Sequence, residues 1–409
     1  MNMFHRLALS STMALSLGSV SFAQHYTETK LQANAPGVAE ATDPQLVNSW
    51  GLTRTAGSVW WVSDNAKGVA TLYNGPGKKQ SLVVTIPPAN PNNPSKPTGS
   101  PTGIIANSST TDFVLAPGKP ADFIFATLDG TIAAWNPNVG LANGAAPPST
   151  HAVTVIKTAD GSVFTGLTSA LIDGKRYLYV ANTSKGRVDV YDNAFHLVDL
   201  DKHNNNSGDN NSGNADFGGD HHSTGSQPFE DPQLPGNYVP FNVATIGNDV
   251  VVTFVLDPPG QQRPTAGPGF GYVDIFSSTG QLLRRLEHGS WLNVPWGVAL
   301  APLDYGRFSH DLLVGQFANA GNTESAGFIA AYDLATGKFD GLLQDVNGNP
   351  LVIQGIWSLG SGNVSPSNLD PDDAPLAQVY FTAGPNEETA GLFGYLTAVP
   401  KELTQGSDQ

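Results

Sequence analysis

The chain repeats a pattern of short apolar segments, each the length of a β-strand and bounded by turn residues. In each repeat, a first segment with a small third residue precedes a second segment rich in β-branched and aromatic residues. Four of the third segments end in an aromatic residue followed by a turn residue, at 73–74, 135–136, 191–192 and 332–333. A repeat of this length indicates sheet units packed on their neighbours rather than independent domains.

The first segments give the clearest signal, because all of them have a small or short residue in third place. They are 49–52, 101–104, 167–170, 240–243, 295–298 and 353–356. Inner strands of a β-propeller converge on its axis, where bulky side chains collide, so a small residue suits that position. The sequence therefore predicts an all-β fold, a six-bladed β-propeller with four-stranded antiparallel blades.

The sixth repeat has no obvious fourth strand, because the chain nearly ends there. The segment 26–32 is apolar enough to supply it, which would close the ring and leave no open sheet edge. We therefore expect one propeller domain over residues 24–398. Within it, 201–233 is a polar, low-complexity segment that we expect to form a loop insertion without a core, and 399–409 is a C-terminal tail.

Three phrases resemble known propeller sequences: VNSWGL at 47–52, VPWGVALAP at 294–302 and YFTAGPN at 380–386. The repeat unit resembles NHL-type six-bladed propellers. The phrases resemble an uncharacterised family of exported bacterial propeller proteins, over about residues 26–398. The resemblance implies the fold and transfers no catalytic residue, since that family has no settled activity.

Residues 1–23 have the pattern of a signal peptide. His5 and Arg6 form a weakly basic start, 7–20 is mostly apolar, and Ser21 and Ala23 are small residues suited to a cleavage site. The alternative is a membrane anchor, but the apolar run is short for a membrane span. We expect an exported protein, periplasmic or extracellular, with no later membrane span.

Charge and cysteine content narrow the functions further. The formal net charge is −15 and there is no cysteine. An acidic chain disfavours nucleic acid and anionic membranes as partners. Thiol catalysis, zinc–thiolate sites and iron–sulfur clusters are excluded. Cations and neutral molecules remain compatible as ligands. We expect a monomer whose partner is a small molecule, a carbohydrate or a protein.

Polar residues recur in the turns that leave the second strands. In a propeller these turns lie on one face, around the funnel at the axis. The candidates are Asp64, Asn65, Asp129, Asn182, Asp257, Asn319 and Asn386. Converging carboxylate and amide oxygens suit Ca²⁺. The alternative is that Asp and Asn serve here only as turn formers that bond their own backbone.

Three aromatic residues share one repeat position at the start of inner strands: Trp50, Phe241 and Trp296. They are candidates to line the mouth of the funnel and stack on a sugar or an aromatic ligand. Alternatively, they wedge between the blades as core.

Two functions follow from these candidates. The first is a module that binds a ligand or partner through the axial funnel face, which needs no catalytic group. The second is a metal-dependent hydrolase or lyase of lactonase-like type, in which Ca²⁺ polarises a carbonyl and Asp64, Asp129 or Asp257 acts as ligand or base. Such sites usually include a glutamate, and the inner strands carry none. The sequence favours the binding module and leaves enzymatic activity open.

Overall fold

The computed structural model describes residues 24–142, 144–201, 227–261, 263–318, 326–362 and 377–400. These residues form six antiparallel sheets of four main strands each, which are the blades of a six-bladed β-propeller. The predicted fold class is confirmed. The predicted signal peptide lies outside the described residues, so export stays a prediction. No helix within the described ranges has the length and apolarity needed to cross a membrane.

Each blade takes its strands from a continuous stretch of chain, except the last. The first two strands and blades 1 and 2 are β1 Tyr26–Ala33, β2 Ala41–Thr42, β3 Ser49–Thr53, β4 Trp60–Asp64, β5 Val69–Tyr73, β6 Lys79–Thr85, β7 Pro101–Ala106, β8 Val114–Ala116, β9 Lys119–Pro120, β10 Phe123–Thr127, β11 Thr131–Trp135 and β12 Val153–Lys157. Blades 3 and 4 are β13 Phe164–Ile172, β14 Lys175–Asn182, β15 Arg187–Tyr191, β16 Leu197–Val198, β17 Tyr238–Ile246, β18 Asp249–Leu256, β19 Tyr272–Phe276 and β20 Leu282–Arg285. Blades 5 and 6 are β21 Pro295–Leu300, β22 Leu312–Gln316, β23 Ile329–Tyr332, β24 Phe339–Leu342, β25 Ile356–Ser361, β26 Gln378–Ala383 and β27 Leu392–Ala398. Short helical turns occupy Thr183–Lys185, Gly306–Phe308 and Pro385–Glu388.

The ring closes as the sequence predicted. Strand β1 pairs antiparallel with β27, from Tyr26 opposite Ala398 to Ala33 opposite Leu392. Blade 6 therefore combines a strand from the N-terminal part of the chain with three from the C-terminal part. The backbone groups of β27 are paired on both sides, which removes a free edge at the seam.

The inner strands have one common register, and two of the six predicted segments were misaligned. Each inner strand is paired at its start and again three residues later, with a bulge between. In blade 3 these positions are Phe164 and Leu167, and in blade 6 they are Ile356 and Leu359. The predicted segments 167–170 and 353–356 were therefore wrong by three residues, in opposite directions along the chain.

Close packing of neighbouring inner strands explains the small third residue. A Cβ on Gly51 would lie 2.6 Å from the carbonyl oxygen of Thr102 and 2.7 Å from the amide nitrogen of Ile104, both on the inner strand of the next blade. A Cβ on Gly297 would clash with the carbonyl oxygen of Trp357 in the same way. At these two positions the inner strand thus lies against the backbone of the next one, with no room for a Cβ between them.

The described end of the segment 201–233 belongs to the fold. Phe229 is 3% exposed and lies against Tyr179 and Phe276, with ring centroids 5.6 Å from each. Asp231 accepts two hydrogen bonds of 2.6 Å from Arg285. The expectation that this whole segment buries no core was wrong for residues 227–233, where one aromatic and one ion pair anchor it to blades 3 and 4.

A second carboxyl lies beside this ion pair. Asp274 on β19 is 2% exposed. Burial, together with the negative charge of Asp231, raises the pKa of Asp274 to about 8. Burial also acts on Asp231, but its hydrogen bonds from Arg285 prevail and lower the pKa of that carboxyl. Asp274 is therefore protonated at neutral pH and Asp231 is ionised.

We predict that Gly51→Ala destabilises the fold by about 1–3 kcal/mol, the usual cost of forcing atoms into a packed interior. Gly315→Ala is the matched control, because its Cβ would meet Ile356 at an ordinary 3.5 Å. Urea unfolding of both variants measures the difference. Equal stability of the two variants would contradict the close approach of inner strands.

We predict that stability falls as pH rises from about 4 to 8 through the titration of Asp274. The pKa of Asp274 is higher in the folded than in the unfolded protein, so its protonated form stabilises the fold at low pH. This contribution is lost as the pH rises from the unfolded pKa through the folded pKa. Asp274→Asn keeps a hydrogen-bond donor but does not titrate. Over this pH range its free energy of unfolding should therefore fall by at least about 1 kcal/mol less than that of the wild type. Asp249→Asn, at an exposed position, is the control for the lost charge. If the unfolding free energy of Asp274→Asn depended on pH as that of the control does, the raised pKa of Asp274 would be contradicted.

Candidate functional site

The residues at the second position of the common register locate the site, because these residues of the six inner strands lie around the axis. Four are aromatic and two are threonine: Trp50, Phe241, Trp296, Trp357, Thr102 and Thr165. The sequence alignment placed three of these aromatics in one position and missed Trp357, since its segment was misaligned. With the register corrected, the fragment around Trp357 matches those around Trp50 and Trp296.

The four aromatic residues and Phe317 form a cluster that we call the aromatic plug. Trp357 is stacked between Trp50 and Phe317, with ring centroids 3.5 and 3.7 Å away. Trp296 meets Trp50 and Trp357 edge to face, with centroids 5.9 and 5.7 Å away. The plug is buried, with Phe317 its most exposed member at 9%. Its residues are core, yet four of them also line a cavity, Trp357 only by its edge because Trp50 and Phe317 cover both of its faces.

A cavity of about 720 Å³ lies against the plug, at the end of the axis where inner strands begin and second strands end. Trp50, Phe241, Phe317 and Trp357 supply aromatic surface. The opposite wall comes from blades 2 and 3, and includes Thr165. Threonine is much smaller than tryptophan, so the space is left on the side where the aromatic side chains are missing. The volume lies within the range of small-molecule sites.

Four charged residues, which we call the rim, surround the opening of the cavity. Asp257, Arg263, Glu387 and Glu388 all line it. Arg263 follows β18 in blade 4 and forms an ion pair with Glu388, which follows β26 in blade 6. The guanidinium of Arg263 is thus already matched to one carboxylate. Asp257 and Glu387 have no ion pair among the described residues.

Asn48 connects the plug to this rim. The indole Nε1 of Trp357 donates to Oδ1 of Asn48 over 3.0 Å, and Nδ2 of Asn48 donates to Glu388 over 3.0 Å. Asn48 has a positive φ of 50°, a conformation that asparagine tolerates better than most residues. The network fixes Glu388 relative to the floor of the cavity.

Burial affects the carboxyls of the rim. It raises the pKa of Asp257. It also raises the pKa of Glu388, although the positive charge of Arg263 acts in the opposite direction. A raised pKa means that the surroundings disfavour the negative form. At Glu388 the effect of burial therefore outweighs that of the positive charge of Arg263.

The three carboxylates predicted as metal ligands are not brought together. Asp64 is fully buried inside blade 1, where it accepts hydrogen bonds from Ser49 at 2.8 Å and Thr71 at 2.6 Å. Asp129 pairs with Lys96 and belongs to a turn of blade 2. Only Asp257 lines the cavity. No group of three or more metal-ligating His, Asp or Glu side chains occurs within the described ranges. Ca²⁺ stays a prediction without a ligand set there.

The amide candidates also have local partners. Asn65 donates to the carbonyl of Pro101 over 3.0 Å, and the buried Asn182 donates to Asp189 over 2.6 Å. Asn386 is exposed and does not line the cavity, although its neighbours Glu387 and Glu388 do. Asn319 lies outside the described residues.

Of the predicted ligand-binding residues, Trp50 and Phe241 line the cavity. Trp296 does not line it and packs with them inside the plug. Sequence reasoning named Asp257 at the rim but missed Asn48, Phe317 and Trp357, together with the rim residues Arg263, Glu387 and Glu388. A signal existed for Trp357 in its repeat alignment and for Asn48 in the phrase at 47–52. Arg263 and Glu388 gave none, because they are 125 residues apart and meet only in the fold.

No model of a known protein family matches the chain. Sequence relatives do exist in Acanthamoeba polyphaga mimivirus. One uncharacterised protein is 27% identical over 89% of this chain and 78% of its own length. Another is 28% identical over 90% of this chain and 84% of its own length. These relatives are viral, so they give no support to the bacterial, exported origin that the phrases suggested.

Solved structures resemble the chain only in fold. A streptogramin B lyase structure superposes with a TM-score of 0.44 at 11% identity, covering 92% of this chain and 98% of that one. The calcium-binding protein regucalcin from Agrobacterium tumefaciens gives 0.42 at 8% identity, covering 87% of this chain and 91% of that one. Likeness of this degree transfers neither calcium binding nor lyase activity to this chain.

Proposed function

We propose that the protein binds a small organic ligand in the cavity against the aromatic plug. The observation that carries the proposal is the cavity itself, about 720 Å³ with aromatic surface on one side and charged residues around its opening. Small-molecule sites typically combine an apolar, largely preformed floor with a few polar groups that fix orientation. Here the inner strands supply most of the aromatic floor, and loops that follow β18 and β26 supply the charged groups.

The floor is suited to a planar or ring-containing ligand. The stack of Trp50, Trp357 and Phe317 is rigid, since each ring is held by the next and Trp357 is anchored to Asn48. Aromatic faces bury large apolar areas and favour stacking on another ring. A floor that is already ordered loses little entropy when a ligand binds.

One buried polar group beside the cavity has no partner. Trp50 is 4% exposed, and its indole Nε1–H makes no hydrogen bond within the described part of the chain. Most buried polar groups in native proteins are paired, because an unpaired one costs free energy. This supports a site in which binding completes the local contacts.

Enzymatic hydrolysis or lysis is not the function we propose. It required Asp64, Asp129 and Asp257 to converge near the axis, whereas two of them have partners inside or beside their own blades. The cavity has carboxylates at its rim, but the hydroxyls of Thr165, Thr183 and Ser184 that line it are hydrogen-bonded to hydroxyl, carbonyl or amide oxygens and not to a base that would activate a nucleophile.

We predict that ring-containing compounds raise the melting temperature of the protein by binding its folded state. Ala266→Trp places a bulky ring at the cavity wall and abolishes these shifts, because Ala266 lines the cavity. The matched control is Ala145→Trp, at an exposed alanine of blade 2 away from the cavity. A thermal-shift screen of cyclic and heteroaromatic compounds on all three proteins provides the measurement.

The expected result is a set of compounds that stabilise the wild type and the control to the same extent and leave the blocked variant unchanged. Compounds that shift all three proteins equally would place binding elsewhere. A diverse screen without any shift of the wild type would also contradict the proposal.

A further inference from the structure

We propose that the cavity selects cationic ligands, amines that carry an apolar or aromatic body, over neutral and anionic molecules of the same shape. The inference rests on the proposed function and names its ligand class. It comes from the combination of an aromatic floor with a rim whose negative charge exceeds its positive charge.

The rim has an unbalanced charge. Three carboxylates, of Asp257, Glu387 and Glu388, line the cavity together with one guanidinium, that of Arg263. Arg263 is paired with Glu388, and this leaves Asp257 and Glu387 without a positive partner among the described residues. An anionic ligand would meet these two carboxylates at the opening, whereas an ammonium group would compensate them.

The burial of the carboxyls agrees with this charge. Removal from water raises the pKa of Asp257 and of Glu388 above the usual range for these groups. The negative forms are thus under-stabilised in the free protein. A bound cation restores stability to them, so binding and ionisation of the rim favour each other.

The floor offers a cation a second kind of attraction. The π faces of Trp and Phe carry partial negative charge and attract ammonium groups, tryptophan most strongly. Two tryptophans and two phenylalanines line this cavity. The same surface accepts the apolar part of the ligand, so one amine uses the floor and the rim together.

The turn that carries the rim glutamates has a costly backbone. Asn386, Glu387 and Glu388 have φ values of 52°, 53° and 66°, the left-handed region that non-glycine residues seldom occupy in succession. Asn48 and Arg263 hold the turn through Glu388. Persistent strain of this kind concentrates at functional sites, and here the strained turn lines the cavity with Glu387 and Glu388.

The whole molecule favours the same ligand charge. The chain has 35 acidic and 20 basic residues, a net charge of −15. Such a field raises the local concentration of cations and repels anions, an effect that added salt weakens.

The test compares three probes of similar shape: 2-phenylethylammonium, neutral 2-phenylethanol and anionic phenylacetate. Titration followed by tryptophan fluorescence and calorimetry gives their dissociation constants on the intact protein. We expect the ammonium probe to bind at least about tenfold more tightly than the alcohol, and the anion most weakly. Added salt should weaken the binding of the ammonium probe, relieve the repulsion of the anion and leave the binding of the alcohol unchanged.

A double variant, Asp257→Asn with Glu387→Gln, removes the unpaired charge and leaves the Arg263–Glu388 pair in place. It should remove most of the preference of the cavity for the ammonium probe over the alcohol, whose own affinity stays unchanged. The control is Glu40→Gln with Asp249→Asn, which removes the same charge from two exposed positions outside the cavity and should retain most of the preference.

The outcomes separate the two proposals. Equal affinity of the wild type for the alcohol and the ammonium probe, or a preference that the double variant leaves undiminished, overturns cation selection by the rim while the binding site stands. If no probe binds to the wild type and the compound screen also fails, the proposed function itself is wrong. Unchanged binding in Ala266→Trp would place the probes at another site.

Discussion

Six inner strands share one axis, and neighbouring backbones approach so closely there that four of the six strands have glycine at the third position. Gly51 and Gly297 show the constraint directly, since a Cβ on either would meet the backbone of the next inner strand. The strands can come this close only if their other residues fill the axis without collision. The choice of side chain at the preceding position, the second of the register, therefore decides whether the centre of the ring is closed or open.

This protein fills the axis asymmetrically. Aromatic residues of blades 1, 4, 5 and 6 interlock in the plug, while blades 2 and 3 contribute Thr102 and Thr165. The plug gives the ring a packed centre, and the two short side chains leave a cavity beside it. The structural and the binding interpretations of Trp50 and Phe241 are thus compatible, because one face of each ring packs in the core and another lines the cavity. Loops from several blades then complete the rim, where Asn48 joins the indole of Trp357 to Glu388.

The sequence was sufficient for the fold because propeller blades repeat their local signals. Small third residues, alternating apolar strands and the strand at 26–32 each follow from local packing, and the structure confirms the six blades and the closure of β1 on β27. The register of two inner strands was not determined by sequence, since Gly166 and Ser169 both satisfy the small-residue pattern, as do Ser358 and Gly355. Only contact with the neighbouring blade distinguishes them. The rim could not be predicted either, because Arg263 and Glu388 come from different blades, and Asp64 finds its partners Ser49 and Thr71 within its own sheet.

A crystal structure of the protein with 2-phenylethylammonium bound tests the account most directly, because it locates the ring and the charge of the ligand separately. We predict the phenyl ring against Trp50, Trp357 or Phe317 and the ammonium group within hydrogen-bonding distance of Asp257 or Glu387. Probe density at another surface, or an ammonium group turned away from both carboxylates, would contradict the account.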